Sequence, residues 1–158
     1  MTRQTPAQAF SDADYETLRL DNQLCHALYA AANNITRLYA NLLEPLGVTY
    51  PQYLVLMALW ERSPRSQGEI GEAVSLESGT LTPLVKRMEA AGLVSRRRDP
   101  DDERRVLVSL TAQGEALRDA AVSIRRQVVC DLPLAPDDLV EMRDALKAFN
   151  RDLRRRTP

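Results

Sequence analysis

The chain is short of the residues that build metal, disulfide and membrane proteins. It has one histidine and two cysteines in 158 residues. A single histidine argues against a histidine-based metal site, no Cys/His cluster has zinc-ligand spacing, and no metal or other cofactor is expected. Two cysteines cannot make a disulfide framework. In the reducing cytoplasm, the expected compartment, they stay thiols unless they have a redox role. No apolar run approaches the eighteen or so residues that span a bilayer, so no membrane partner is expected. Residues 1–17 lack a basic segment followed by an apolar one, so no secretory leader is expected. Excess charge of one sign is also missing. The 21 basic residues stand against 22 acidic ones, a net charge of −1. That argues against indiscriminate coating of nucleic acid, but not against a local concentration of positive charge.

What is present is an ordinary folded composition, 44% hydrophobic and 27% charged, at a length that suits one domain. Between about Tyr15 and Leu46 the residues Cys25, Leu28, Ala32, Ile35, Tyr39 and Leu42 recur at alternating spacings of three and four. The stripe predicts one long helix packed along another. Pro51 opens a second helix to about Glu61. Ser66 to Glu69 reads as a capping box, starting a short helix to about Val74. A further helix runs from Glu77 or Ser78 to Ala91 and stops at Gly92. Leu93–Arg98 and Val106–Leu110 read as a two-stranded hairpin. Thr111 caps a long helix to about Cys130, and Asp137 begins a last amphipathic one. The fold class is mainly α, a winged helix-turn-helix with flanking long helices. Those helices carry more apolar stripe than one small domain buries, which predicts an intertwined homodimer.

The helix from Ser78 has a groove reader's composition. Ser78, Gly79, Thr80 and Thr82 are small, and Lys86 and Arg87 follow one to two turns later, within reach of phosphates or base edges. The hairpin adds Arg96, Arg97 and Arg98 on one strand and Arg104 and Arg105 at the start of the other, among the acids Asp101, Asp102 and Glu103. An arginine at a wing tip fits a minor groove. A charged hairpin alone would be a solvated surface. Joined to the capped helix, the short turn and the Ser/Thr-rich helix, it points to double-stranded DNA.

Cys25 falls on the apolar stripe of the first helix, where a cysteine is ordinarily a small hydrophobe. Tyr29 lies one turn on and Tyr39 shares the stripe, and the chain has only five tyrosines. Fourteen residues of helix span about 21 Å, so Tyr39 cannot touch Cys25 of its own chain. A second, antiparallel copy would have to supply it. Phenolic donors around the sulfur would favour the thiolate that peroxide chemistry requires. The expected helix start lies two or three turns before Cys25, so its dipole is expected to add little. Cys130, taken alone, reads as a filler or a bystander.

The chain resembles the MarR-type winged-helix regulators, and among them the organic hydroperoxide resistance regulators of two-cysteine type. The strings that carry this are Leu20-Asp-Asn-Gln-Leu-Cys25, Thr49-Tyr-Pro-Gln-Tyr53, Glu77-Ser-Gly-Thr-Leu-Thr-Pro83 and Asp102-Glu-Arg-Arg-Val-Leu-Val-Ser-Leu110. The match is close over residues 18–115 and looser after them. It departs at His26, where phenylalanine is common, and at Glu77, where aspartate is. The resemblance implies a transcriptional repressor, not an enzyme, that binds operator DNA as a reduced dimer. Cys25 then matches the peroxide-sensing cysteine, and Tyr39 and Tyr50 match tyrosines that hydrogen-bond it across the dimer. Cys130 matches a resolving thiol that forms an intersubunit disulfide with Cys25. Asp102 and Arg104 match the wing's orienting acid and minor-groove arginine. An organic hydroperoxide would be the inducer. Two alternatives stand beside it: a repressor answering a small phenolic ligand, and a thiol peroxidase. The expected organisation is a flexible N-terminus over 1–14, a helical dimerisation region over 15–50 and 111–158, and a DNA-binding lobe over 51–110.

Overall fold

The structure is a computed structural model of the chain, and it describes residues 10–156. It divides into two units, Met1–Asn41 and Leu42–Pro158. Among the described residues no helix is long and apolar enough to cross a membrane.

In the first unit the single helix expected from Tyr15 to Leu46 is broken. A short helix α1 (Asp12–Glu16) is followed by a 3-10 turn over Leu20–Asn22, and the long helix α2 starts only at Leu24 and runs to Leu43. The break has a side-chain cause. The Asn22 amide donates to the Glu16 carbonyl at 2.9 Å. The Gln23 amide donates to the carbonyls of Thr17 and Arg19. Carbonyls that a continuing helix would bond through its backbone are taken by Asx and Glx side chains instead. Of the N-terminus expected to be flexible, residues 1–9 lie outside the described residues. From Ser11 the chain enters α1 through a capping box, with Ser11 N–H donating to Asp14 at 2.8 Å. On α2, Leu28, Ile35 and Tyr39 are half-buried and Cys25 is exposed.

In the second unit Thr49 caps helix α3 (Tyr50–Glu61), its N–H donating to Gln52 at 2.8 Å. A two-residue strand β1 (Arg65–Ser66) precedes helix α4 (Gln67–Val74). Helix α5 (Ser78–Ala90), strands β2 (Val94–Arg98) and β3 (Val106–Leu110), and helices α6 (Ala112–Ala116), α7 (Arg118–Asp131) and α8 (Pro136–Arg156) complete it. The expected two-stranded wing is thus part of a three-stranded antiparallel sheet in the order β1-β3-β2. Arg65 pairs with Val108 on one side of β3, and Arg96 pairs with the same residue on the other. Two residues carry too little alternation to announce a strand, which is why β1 is silent in the sequence. The helix expected from Thr111 to Cys130 is tightened at Leu117, whose φ of −74° and ψ of −11° remain helical.

The core is the apolar face common to these elements. Leu56 and Leu59 of α3, Ile70 of α4, Leu81, Val85 and Met88 of α5, and Val94 and Val108 of the sheet are at most 2% exposed. The base of the wing is closed by one crowded junction. Gly92 takes a left-handed φ of +73° that lets α5 end and β2 begin. The Thr111 hydroxyl donates to the Gly92 carbonyl at 2.6 Å and accepts from Gly114 N–H at 3.1 Å. The Trp60 indole donates to the Gly114 carbonyl at 3.2 Å. A Cβ on Gly114 would stand 2.1 Å from the Leu93 carbonyl oxygen, so only glycine fits there.

Met142, Leu146, Phe149 and Leu153 along α8 are exposed in the single chain.

The Gly114 contact is with backbone, which cannot swing aside. Gly114→Ala should therefore cost at least the 1–3 kcal/mol typical of core overpacking, read as a lower urea midpoint at unchanged slope.

Candidate functional site

Helix α5 is positioned by the turn before it. Ser75 adopts a left-handed φ of 56°, and Leu76 N–H bonds back to the Gly71 carbonyl at 2.9 Å. That reversal points α5 across α4, with Leu81, Leu84, Val85 and Met88 turned inward. The outward face holds Ser78, Gly79, Thr80, Lys86 and Arg87, all exposed, while Thr82 is half-buried. Among the described residues neither Lys86 nor Arg87 is paired with an acid. The first turn of α5 presents small side chains and free N–H groups, with two unneutralised cations beyond. Such a face suits a polyanion.

The wing does not offer all its arginines alike. Arg96 turns back onto α5. Its Nε donates to Glu89 at 2.8 Å, its Nη2 lies 2.7 Å from the same oxygen, and its backbone N–H donates to the other oxygen at 3.0 Å. Arg98 donates to the Glu103 carbonyl at 2.7 Å, closing the wing loop. Asp102 accepts from Arg104 N–H at 3.0 Å, a tight turn that orients the backbone at the wing tip. Arg105 lies 3.7 Å from Asp99, which is 9% exposed, and 3.7 Å from Glu69 on α4. The guanidiniums of Arg97 and Arg104 have no acid partner among the described residues. Of the wing arginines, Arg97 on β2 and Arg104 at the tip are thus exposed with no internal partner for the side chain. Glu89 and Asp99 were given no role from the sequence, and Glu69 was read there only as the end of a capping box. Glu89 lies seven residues before Arg96, and only the turn at Gly92 brings the two together.

Glu69 is a node of this lobe. It accepts from the Ser66 N–H at 2.8 Å and from the Ser66 hydroxyl at 2.7 Å, and it also pairs with Arg62. The Ser66 N–H and hydroxyl, then Arg62, hold its carboxyl down to about 2, well below its ordinary 4.5. Glu89 is also held below the ordinary carboxylate range, chiefly by its hydrogen bond from Arg96.

The two thiols are both exposed in the chain. Cys25 is the second residue of α2. This corrects the expectation that the helix start lies two or three turns away. The sulfur sits in the first turn, where the leading backbone N–H groups of a helix lack helical acceptors. Tyr29, one turn on, is 69% exposed. Tyr39 lies on the same helix face fourteen residues later, beyond reach of Cys25 along α2. Tyr50 is the first residue of α3, in the second unit. Cys130 is the penultimate residue of α7.

Comparison with known proteins places this architecture. The model of the MarR family matches residues 48–106. The organic hydroperoxide resistance transcriptional regulator of Bacillus subtilis is 43% identical over 132 residues, covering 84% of this chain and 90% of that protein. Reduced AbfR bound to DNA, a protein of Staphylococcus epidermidis, aligns at 34% identity and a TM-score of 0.73, covering 89% of this chain and 98% of that one. A disulfide-formed AbfR aligns at 32% identity and a TM-score of 0.57, covering 91% and 96%.

The Ser66–Glu69 box gives a prediction with a sign. The folded chain holds Glu69 below its unfolded value. Its contribution to stability is therefore complete above about pH 4.5 and lost as the pH falls toward 2. Glu69→Gln should be less stable than wild type at pH 7, with the gap closing across that window. Ser66→Ala should cost about 1 kcal/mol at pH 7. Urea unfolding at pH 7, 4 and 3 measures both.

Proposed function

The chain belongs to the MarR family of DNA-binding transcriptional regulators, and on that premise we propose that it is a repressor released from its operator by organic hydroperoxide. It acts on DNA as a regulator, not as an enzyme. In its reduced state two copies bind a pseudo-palindromic operator, one α5 per half-site in the major groove. Ser78, Gly79, Thr80 and Thr82 approach the groove floor and phosphates, Lys86 and Arg87 contact phosphates or base edges, and Arg104 at the wing tip enters the minor groove.

The observation that carries the redox half is the place of Cys25 in the first turn of α2, exposed and free. A thiol exposed in the first turn of a helix is open to a hydroperoxide from solvent and has no bonded partner to displace before it attacks. The similarity to a hydroperoxide resistance regulator and to a protein solved in a disulfide-formed state supports the same reading. The thiolate attacks the terminal oxygen of the hydroperoxide. The O–O bond breaks, an alcohol leaves, and Cys25 becomes a sulfenic acid. The Cys130 thiol of the second copy then displaces the sulfenic oxygen as water, leaving an S–S bond. Bringing two sulfurs to about 2 Å moves the helices that carry them, and the paired reading helices lose the half-site spacing. Cellular thiols reverse the step.

The second copy also answers a geometric need. Tyr39 cannot reach the Cys25 of its own helix, so it serves the sulfur of the other chain; the resemblance adds Tyr50 to it there, with Tyr29 one turn from the sulfur on α2. The exposed apolar residues of α8, among them Phe149 and Leu146, supply surface for that copy to cover.

The test is a gel-shift assay on DNA selected from a random pool by the reduced chain, with and without cumene hydroperoxide. Wild type should release DNA and run as a covalent dimer on a non-reducing gel. Cys25→Ser should stay bound. Cys130→Ser should lose the covalent dimer and release only with added small thiol or on overoxidation. To cut occupancy tenfold, oxidation has to weaken binding by only about 1.4 kcal/mol. A Cys25→Ser chain that releases like wild type would sink the redox reading in favour of a ligand-responsive repressor.

A further inference from the structure

Glu89 is a puzzle if the lobe is read only as a surface for DNA. It is the next-to-last residue of α5, where the helix dipole opposes a carboxylate. It also puts a negative charge on the element most suited to a polyanion. Its surroundings explain it. Both oxygens are engaged by one residue, Arg96 of β2, through the backbone N–H at 3.0 Å, Nε at 2.8 Å and Nη2 at 2.7 Å. β2 is an edge strand, since β3 lies on its other side. The N–H of Arg96 would otherwise be an open edge donor. The pair is partly shielded, with side-chain exposures of 24% for Arg96 and 35% for Glu89. A charge-assisted contact of this kind is directional, because the guanidinium plane fixes the carboxylate.

We propose that Arg96 is a positioning residue rather than a DNA contact: with Glu89 it locks the wing to α5, so that the two read DNA as one rigid body. This rests on the reading of α5 and the wing as the DNA-binding elements. It revises the role expected for Arg96 from its place in the arginine run of β2. A second tie works in the same sense at the far end of the wing, where Arg105 stands between Asp99 and Glu69 of α4. Arg96 is held at the base of the wing, Arg104 is left outward at its tip, and the distance between α5 and that tip is thereby set. DNA offers the major and minor grooves at fixed separation, so an unlocked wing loses the simultaneous fit even when every DNA-facing side chain is intact.

The salt dependence of binding separates positioning from direct phosphate binding. Removing one phosphate-neutralising cation lowers the slope of log K against log salt by about 0.9. The full-length reduced chain is titrated onto DNA that the reduced wild type selects from a random pool, at several salt concentrations. Arg96→Ala should weaken binding at least tenfold with the wild-type slope. Glu89→Gln should weaken it comparably, although it removes a negative charge and by charge alone would tighten it. The exchange Glu89→Arg with Arg96→Glu should recover most of the affinity. Circular dichroism checks that each variant is folded, and if Arg96→Ala is not, Glu89→Gln decides. Tighter binding by Glu89→Gln, or a slope reduced by about one in Arg96→Ala, would make Arg96 a phosphate ligand and overturn the proposal. A wild-type chain that selects no DNA would instead overturn the underlying reading.

Discussion

The carbonyl of Leu93 is where the second unit is tied together. The Thr111 N–H reaches it at 3.2 Å and the Thr111 hydroxyl at 3.0 Å, and Gly114 passes so close that no side chain fits between. Leu93 N–H in turn bonds the Met88 carbonyl of α5 at 3.0 Å. One residue thus joins the end of α5, the start of β2, the end of β3 and the first turn of α6. Through the Trp60 indole on Gly114, α3 is attached as well. The wing can project from the lobe because its two strands are clamped at this base. Val94 and Val108 enter the core, while the charge of the wing lies further along β2, at Arg96, Arg97 and Arg98, and in the loop that leads into β3. The apolar anchor and the charged part of the wing are therefore separate stretches of it.

The order of elements was legible in the sequence because each boundary has a local chemical marker. Ser66 with Glu69, Thr111, Gly92 and the Pro51 start each mark a helix end by hydrogen bonding or backbone geometry that involves only neighbours. What was not legible is of two kinds. The break before α2 comes from amides at 22 and 23 reaching six residues back, in a stretch whose apolar spacing continues unchanged. Periodicity reports which face is apolar, not whether the backbone stays helical. β1 and the pairing of Glu89 with Arg96 are of the second kind. They depend on separate elements meeting, β1 with a strand some forty residues on and α5 with the strand just after its turn, and nothing within either partner announces it. For the candidate site the consequence is specific. The residues expected on α5 are exposed except Thr82, which is half-buried, whereas the arginine run of β2 and its loop is sorted by the fold into inward and outward members.

The break before α2 has the larger consequence for chemistry. With a helix starting near Tyr15, Cys25 is an interior residue of an apolar stripe and the plain reading is packing. With the helix starting at Leu24, the same sulfur is in the first turn and exposed. The two side chains that stop the earlier helix, Asn22 and Gln23, lie immediately before it. They place a helix N-terminus under the one thiol with a tyrosine four residues on. The short polar run ahead of Cys25 is thus part of its environment, although neither amide touches the sulfur.

The balance of charge follows from the same sorting. A net charge of −1 in a DNA-binding chain is economical when the cations have different partners. Arg96, Arg98 and Arg105 satisfy acids or carbonyls of the lobe itself, and Glu69, Glu89 and Asp99 are the acids that hold Arg62, Arg96 and Arg105. These internal pairs cancel in the sum and shape the lobe. Among the described residues of α5 and the wing, the cations left with no internal partner for the side chain are Lys86, Arg87, Arg97 and Arg104. A binding surface of so few charges gives limited nonspecific affinity, because that affinity scales with phosphates neutralised. Specific binding then depends on holding those few groups in register. A lobe braced by internal ion pairs is suited to that, since it presents its contacts without further ordering on DNA. It also leaves the thiols on elements outside the braced lobe, Cys25 on α2 and Cys130 on α7.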